Sequence, residues 1–343
     1  MKIFEKIKYY EQKEIDVLGL ALFQYGQRNV QGVKEKYFSM FSKTFEQKFF
    51  NSILNPIYKN HDYIFIVRTA GLGEAYLLNF MIDDIVKNKN IKSPCIVTHR
   101  RVYEDMFKLF NPDIPCYVNN VPIDVYNNAL VHRFTSYKGI PVQVVHSTIE
   151  ESTKLFQSYA KGYSVPYPEK IKEMAKVENY TYKAPIYSDE DIEYVNKIEN
   201  LDLHNFVFIM PEANSILPLS ETFWENVCNE IRSKGYDIFA NTQCGVYPFA
   251  KSELLTIPQA MYLASLSKGF VSIRCGLLEV LSTIPVQKHV IYTPHKFNNV
   301  SATNLINTSS LKDYPFIDKS NLYEYNIDEI NEEQIIKEIV RRF

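Results

Sequence analysis

A chain of 343 residues, 46% hydrophobic and 23% charged, can bury a sizeable core, and its length suggests about two domains. Its 38 basic and 40 acidic side chains leave a net charge of -2, which argues against a nucleic-acid binder. No stretch approaches the ~18 apolar residues that a membrane helix needs, and the N-terminus lacks the apolar core of a signal peptide. A cytoplasmic protein is therefore expected. The five cysteines (Cys95, Cys116, Cys228, Cys244 and Cys275) form no CxxC pair and mostly sit in apolar contexts, as expected of small buried hydrophobes in a reducing compartment.

Residues 1–60 differ from the rest. Nine lysines and Arg28 outnumber Glu5, Glu11, Glu14, Asp16, Glu35 and Glu46, and the apolar-aromatic runs Val17–Phe23 and Tyr37–Phe41 flank a polar turn. The stretch reads as a basic N-terminal extension of hairpin or short helical character. Two roles fit it: peripheral docking on anionic lipid, or simple packing on the first domain.

Residues 61–185 form the first α/β domain. Tyr63–Ile66 reads as a short buried strand, and Arg68–Glu74 as a tight loop whose Gly71 and Gly73 allow close backbone approach. Leu77, Leu78, Met81, Ile82 and Ile85 then recur at helical spacing, which predicts one helix with Glu74 in its first turn. Further strands are expected near Pro94–Val97, Ile114–Val118 and Ile140–Val145, with helices at Arg101–Phe110 and from about Ser147. Strands alternating with helices imply a parallel sheet. A polar, acidic connector follows from Thr181, in which Asp189-Glu190-Asp191 has the DxD form of a metal-binding string. Its position after Ser188 suits a helix start, where acids complement the dipole.

Residues 206–312 form the second domain, three successive β-α units. Phe206–Met210 is a strand with exit loop Pro211–Ile216. Thr222-Phe-Trp-Glu225 has the form of a capping box, and Lys234-Gly235 is a helix stop. Tyr236–Ala240 is the next strand, with exit Asn241-Thr242-Gln243. A second capping box, Thr256–Gln259, opens a helix that stops at Lys268-Gly269. The strand Phe270–Ile273 turns through Arg274–Glu279 into another helix, and His289–Tyr292 is the last strand. Residues 313–343 read as a tail whose helix, about Ile327–Phe343, packs back on the first domain.

The dinucleotide fingerprint is missing: Gly71-Leu-Gly73-Glu-Ala-Tyr76 puts a tyrosine where the third glycine should stand. Instead, Val67-Arg-Thr-Ala-Gly-Leu-Gly-Glu74 resembles the N-terminal motif Arg-Thr/Ser-x-x-Leu-Gly-Asp of the bacterial heptosyltransferase-like, family 9-type glycosyltransferases. Phe223-Trp224-Glu-Asn-Val is similar to that family's donor-domain helix start, and Leu263-Ala-Ser-Leu with Gly276-Leu277 to its later donor motif, Asp-Thr-Gly-Leu-x-His. Arg274-Cys275 stands where the motif has Asp-Thr, and Glu279 where it has His. The resemblance covers residues 63–86 and 206–292.

The resemblance implies a GT-B architecture: two facing Rossmann-like domains, here with a basic N-terminal appendage and a C-terminal crossover helix. It implies transfer of a sugar from a nucleotide-diphosphate sugar to a glycan or lipid-linked glycan of the capsule or lipopolysaccharide type, at the inner membrane face. No cofactor or metal is expected. Glu74 takes the place of the family's proposed catalytic base. On the donor side stand Glu212, Asn214, Ser215, Thr242, Gln243, Arg274, Gly276, Leu277 and Glu279. Gly276 and Leu277 offer helix N-terminal N–H groups to phosphate, Arg274 a bidentate charge, and Glu279 an acceptor for ribose hydroxyls; the alternative for Arg274 and Glu279 is an ion pair with each other. Arg68, Gly71, Gly73 and His146 fall on the acceptor side. A nucleotide-sugar epimerase or hydrolase, or a non-catalytic sugar-nucleotide-binding protein, would fit the same frame.

Overall fold

The structure is a computed structural model that describes residues 54–67, 71–98, 100–118, 136–145, 166–175, 177–242, 247–296 and 300–343. The basic extension up to residue 53 and the helix expected from Ser147 lie outside the described residues.

The first sheet is built from β1 (Tyr63–Val67), β2 (Pro94–Thr98), β3 (Cys116–Val118), β4 (Ser136–Tyr137) and β5 (Ile140–Val145), in the order β3-β2-β1-β5-β4. β1 runs parallel to β2 and β5, and β4 is antiparallel to β5. Side chains alternate across a strand, so Tyr63, Phe65 and Val67 enter the main core while Ile64 and Ile66 enter a second core with Leu54, Ile57 and Val97. The helices are α1 (Leu72–Asn79), α2 (Ile82–Asn88), α3 (Arg101–Phe110) and α4 (Tyr167–Ala175).

Two expectations change here. The single helix after the glycine loop is two, α1 and α2. The break follows from hydrogen bonding: the Phe80 carbonyl accepts from Thr181 N at 2.7 Å, outside the helix ladder. Asn111 Nδ2 donates to the buried Asn79 side-chain oxygen at 2.7 Å and also to the Asn79 backbone carbonyl at 3.4 Å, a partner outside the helix ladder. β3 starts at Cys116 because Ile114 N donates to Asn111 O, in the turn after α3.

After the connector helix α5 (Asp189–Asn196), the second sheet runs through β6 (Phe206–Met210), β7 (Asp237–Asn241), β8 (Lys251–Glu253), β9 (Gly269–Ile273), β10 (Gln287–Tyr292) and β11 (Leu322–Asn326). All pairings are parallel and the order is β11-β10-β9-β6-β7-β8. The accompanying helices are α6 (Glu221–Ser233), α7 (Ile257–Leu266), α8 (Gly276–Leu281), α9 (Ala302–Ser309) and α10 (Glu332–Arg342). The capping box at Thr256 and Gln259 is formed. The one expected at Thr222 is not: Ser220 caps α6, accepting from Phe223 N at 3.0 Å, which puts Thr222 inside the helix. Gly235, at φ +90°, closes α6 in a conformation that a side chain would strain.

The tail is also corrected. β11 extends the second sheet beyond residue 312, and among the described residues the main packing of α10 is on α6 of its own domain, where the expectation put it on the first. The buried stripe Ile335, Ile339 and Val340 needs apolar cover, and α6 supplies it. The link to the first domain is instead Phe316, whose ring meets Phe80 at 4.8 Å, Tyr180 at 5.7 Å, Tyr76 at 6.2 Å and Tyr182 at 6.3 Å. α7 adds a second junction against α3, and one hydrophobic core runs through both domains.

Under α10 lies His289, fully buried between Tyr325 and Phe343. The Gln287 amide faces Nε2 at 2.6 Å, so the ring proton sits on Nδ1 and is donated to Tyr325 Oη at 2.8 Å. Burial, with Arg342 nearby, lowers its pKa to about 3. The unfolded chain therefore binds a proton that the folded chain refuses between about pH 6.5 and 3. The His289 contribution is flat above pH 6.5 and removes up to ~1.4 kcal/mol of stability per pH unit between there and about pH 3. In urea titrations across that range, the His289→Phe protein should show a shallower acid loss than the parent.

Candidate functional site

In open parallel sheets, ligands bind beyond the carboxyl ends of the strands, at the point where strand order reverses. In the first sheet the chain steps from β1 to β2 and β3 on one side and returns with β5 on the other, so the reversal lies beside β1, at the glycine loop. In the second it steps from β6 to β7 and β8, then returns with β9, so the reversal lies between β6 and β9. The exits there are Pro211–Ile216 and Arg274–Gly276. Helices α1 and α8, which leave these two points, pack against each other across the domain junction.

They lie head by head. A Cβ on Gly276 would stand 3.0 Å from Leu72 Cβ and 3.5 Å from Gly73 N. At the other end Tyr76 Oη donates to Thr283 Oγ1 at 3.1 Å. Both positive helix ends therefore point to one place. On α8 this end is capped by Cys275: Leu278 N donates to its sulfur at 3.4 Å, and Leu277 N also turns to it. Burial raises the Cys275 thiol pKa, with those N–H groups working the other way. The described cysteines Cys95, Cys116, Cys228 and Cys275 are all unpaired, as expected, and burial pushes Cys228 to about 11 and Cys95 and Cys116 to about 12.

Arg274 and Glu279 form the ion pair that was the alternative to ligand contact. The guanidinium turns inward: Nη2 pairs with Glu279 Oε1, Nε donates to Ser309 O at 3.2 Å, and Nη1 to Cys275 O at 3.2 Å. Tyr314 Oη donates to the same Glu279 oxygen at 2.9 Å. Burial works against the Arg274 charge, but Glu279 together with Tyr314 and Tyr292 outweighs it, and the pKa stands well above the usual arginine value. Arg274 and Glu279 are 8% and 5% exposed, so neither offers its charge to a ligand in this arrangement. Tyr314 and Ser309 were missed from sequence. They lie far along the chain from Arg274, and only folding of the β10–β11 unit brings them over α8.

The remaining residues divide by place. Glu212, Asn214 and Ser215 leave β6 at the reversal point; Glu212 is half-buried and the other two are exposed. Their loop is tied to the β10 exit, where Lys296 N donates to Ser215 O at 2.8 Å and Lys296 Nζ to Ala213 O at 3.1 Å. Thr242, 1% exposed, follows β7 and donates from its backbone N–H to Glu253 O at 3.3 Å. Gly71 and Gly73 sit at the start of α1, and Glu74 is its third residue. Arg68, Gln243, His146 and the side chain of Glu74 lie outside what the structure describes. The acidic string is structural in place: Asp189, Glu190 and Asp191 form the first turn of α5, with Ser188 capping Asp191 N. Among the described residues, no helix is long and apolar enough to cross a membrane.

Two parallel α/β sheets facing each other through their strand-exit loops define the two-domain GT-B fold, as the family resemblance implied. The structure of a glycosyl transferase family 9 protein from Veillonella parvula superposes with a TM-score of 0.51 at 12% identity, covering 82% of this chain and 97% of that one. The E. coli heptosyltransferase WaaC with ADP matches at a TM-score of 0.47 and 12% identity, over 82% of this chain and 100% of that one. The iron-containing dodecameric glycosyltransferase TibC of enterotoxigenic E. coli matches at 0.44 and 13%; 68% of this chain aligns, spanning 58% of TibC. No family model matches the sequence, and no curated protein matches it.

Proposed function

We propose that this chain is a glycosyltransferase that moves a sugar from a nucleotide-diphosphate sugar to a hydroxyl of a bacterial surface glycan, without a metal. The observation that carries the reading is the meeting of both strand-order reversals at one junction, with the glycine loop and Glu74 on one side and the β6 and β9 exits on the other. The likeness to the family 9 structure supports it at the level of fold. The acceptor approaches from the side of Arg68, Gly71, Gly73 and His146. Its hydroxyl passes a proton to the Glu74 carboxylate as oxygen attacks the anomeric carbon. The bond from that carbon to the diphosphate breaks, and the leaving group takes the electron pair.

The growing charge is met by the positive end of α8 at Gly276 and Leu277, where the Leu277 N–H exchanges the Cys275 sulfur for a phosphate oxygen. Glu212, Asn214, Ser215, Thr242 and Gln243 border the nucleotide. Arg274 and Glu279 take a different role from the expected one: paired and buried, they hold the loop in shape. The acceptor is a capsule or lipopolysaccharide glycan presented at the inner membrane face, with the basic residues 1–60 docking there.

A thermal-shift panel of nucleoside diphosphates and nucleotide sugars tests the reading. A true donor at 100 times its Kd should stabilise the protein by about 2.7 kcal/mol. No shift across the panel would overturn it.

A further inference from the structure

Gly73 and Glu279 belong to different domains, yet a side chain at one would occupy the space of the other. A Cβ on Gly73 would overlap Oε2 and the carboxyl carbon of Glu279 and lie 2.8 Å from Oε1. The carboxylate has little freedom to step aside, because Oε1 is held within its own domain by Arg274 and Tyr314. Its other oxygen, Oε2, is buried against the glycine with no hydrogen-bond partner among the described residues. A carboxylate oxygen removed from water without a replacement partner favours any arrangement that lets water back.

We infer that the Gly73–Glu279 contact is the stop that sets how far the two domains close, and that it biases the mouth of the junction toward opening. The opposite end of the junction has no such opposition. There Tyr76 is bonded to Thr283, and Phe316 is enclosed by Phe80, Tyr180 and Tyr182. The domains therefore part at the N-termini of α1 and α8 while the aromatic end stays packed. Parting lifts Leu72 off Gly276 and uncovers the end of α8. Gly73 is needed for its missing side chain, and Glu279 for its reach. The inference concerns closure alone and stands whether or not a sugar is the cargo.

Hydrogen exchange on the full chain tests it, in Gly73→Ala, Glu279→Asp and the double variant, each checked for folding by circular dichroism. Gly73→Ala should raise exchange of the amides of 71–76 and 276–280 by about tenfold or more, with 314–316 unchanged. Glu279→Asp alone, which keeps the charge but withdraws the carboxylate by one methylene, should leave the mouth closed. The double variant should return to within about twofold of the parent. Parental exchange in Gly73→Ala, or a double variant no better protected than Gly73→Ala, would overturn the inference. If Gly73→Ala does not fold, recovery of folding in the double variant supports the inference and its failure to recover refutes it.

Discussion

Replacing Glu74 by Gln is expected to lower turnover about 10²–10⁴-fold while leaving donor binding intact. Gln keeps the shape and the hydrogen-bonding reach of the side chain but cannot accept the proton of the attacking hydroxyl. Glu74 is the third residue of α1, so its charge also complements the helix dipole. Losing that interaction costs only ~0.3–1 kcal/mol of stability and cannot imitate a catalytic defect. The measurement is release of nucleoside diphosphate with acceptor present, read as kcat and KM separately. A purely structural Glu74 would leave kcat within a few-fold of the parent, and that result would remove it as the base. Diphosphate released equally well without acceptor would point to a hydrolase.

Arg274→Met should destabilise the protein by about 3–5 kcal/mol, the cost of leaving the Glu279 carboxylate buried and uncompensated. Both groups are almost wholly removed from water, and the arginine also ties together Ser309 O, Cys275 O and Tyr314. Urea unfolding should show a lower midpoint with an unchanged slope. Converting both partners, Arg274→Met with Glu279→Met, should cost much less than the single change, because two apolar side chains of similar volume replace two desolvated charges. Equal losses in the single and double variants would mean that the guanidinium acts through its backbone contacts rather than through the pair.

Much of the architecture is legible in local sequence. The buried run Tyr63–Ile66, the Thr256 capping box and the Gly235 stop act over a few residues, and such signals survive without knowledge of what packs where. The misses share a physical cause. The helix break after Asn79 depends on Asn111 and Thr181, which are distant in sequence. β11 carries Tyr-Glu-Tyr in an edge strand, and its pairing with β10 comes from the sheet rather than its own pattern. The Thr222–Glu225 string has the form of a capping box, yet α6 starts at Glu221 with Ser220 accepting from Phe223 N, so Thr222 lies inside the helix.

For the site, the ingredients are readable along the chain: a glycine loop with a carboxylate in the helix that follows, and a second helix start bearing Arg274 and Glu279. Those are covalent neighbours, and their spacing is enough to read. How they are used depends on contacts between segments distant in the chain. Arg274 and Glu279 turn to each other because burial of both charges is tolerable only as a pair. Gly73 and Glu279 meet because two sheets with separate strand reversals close upon one another, a contact that neither segment encodes alone.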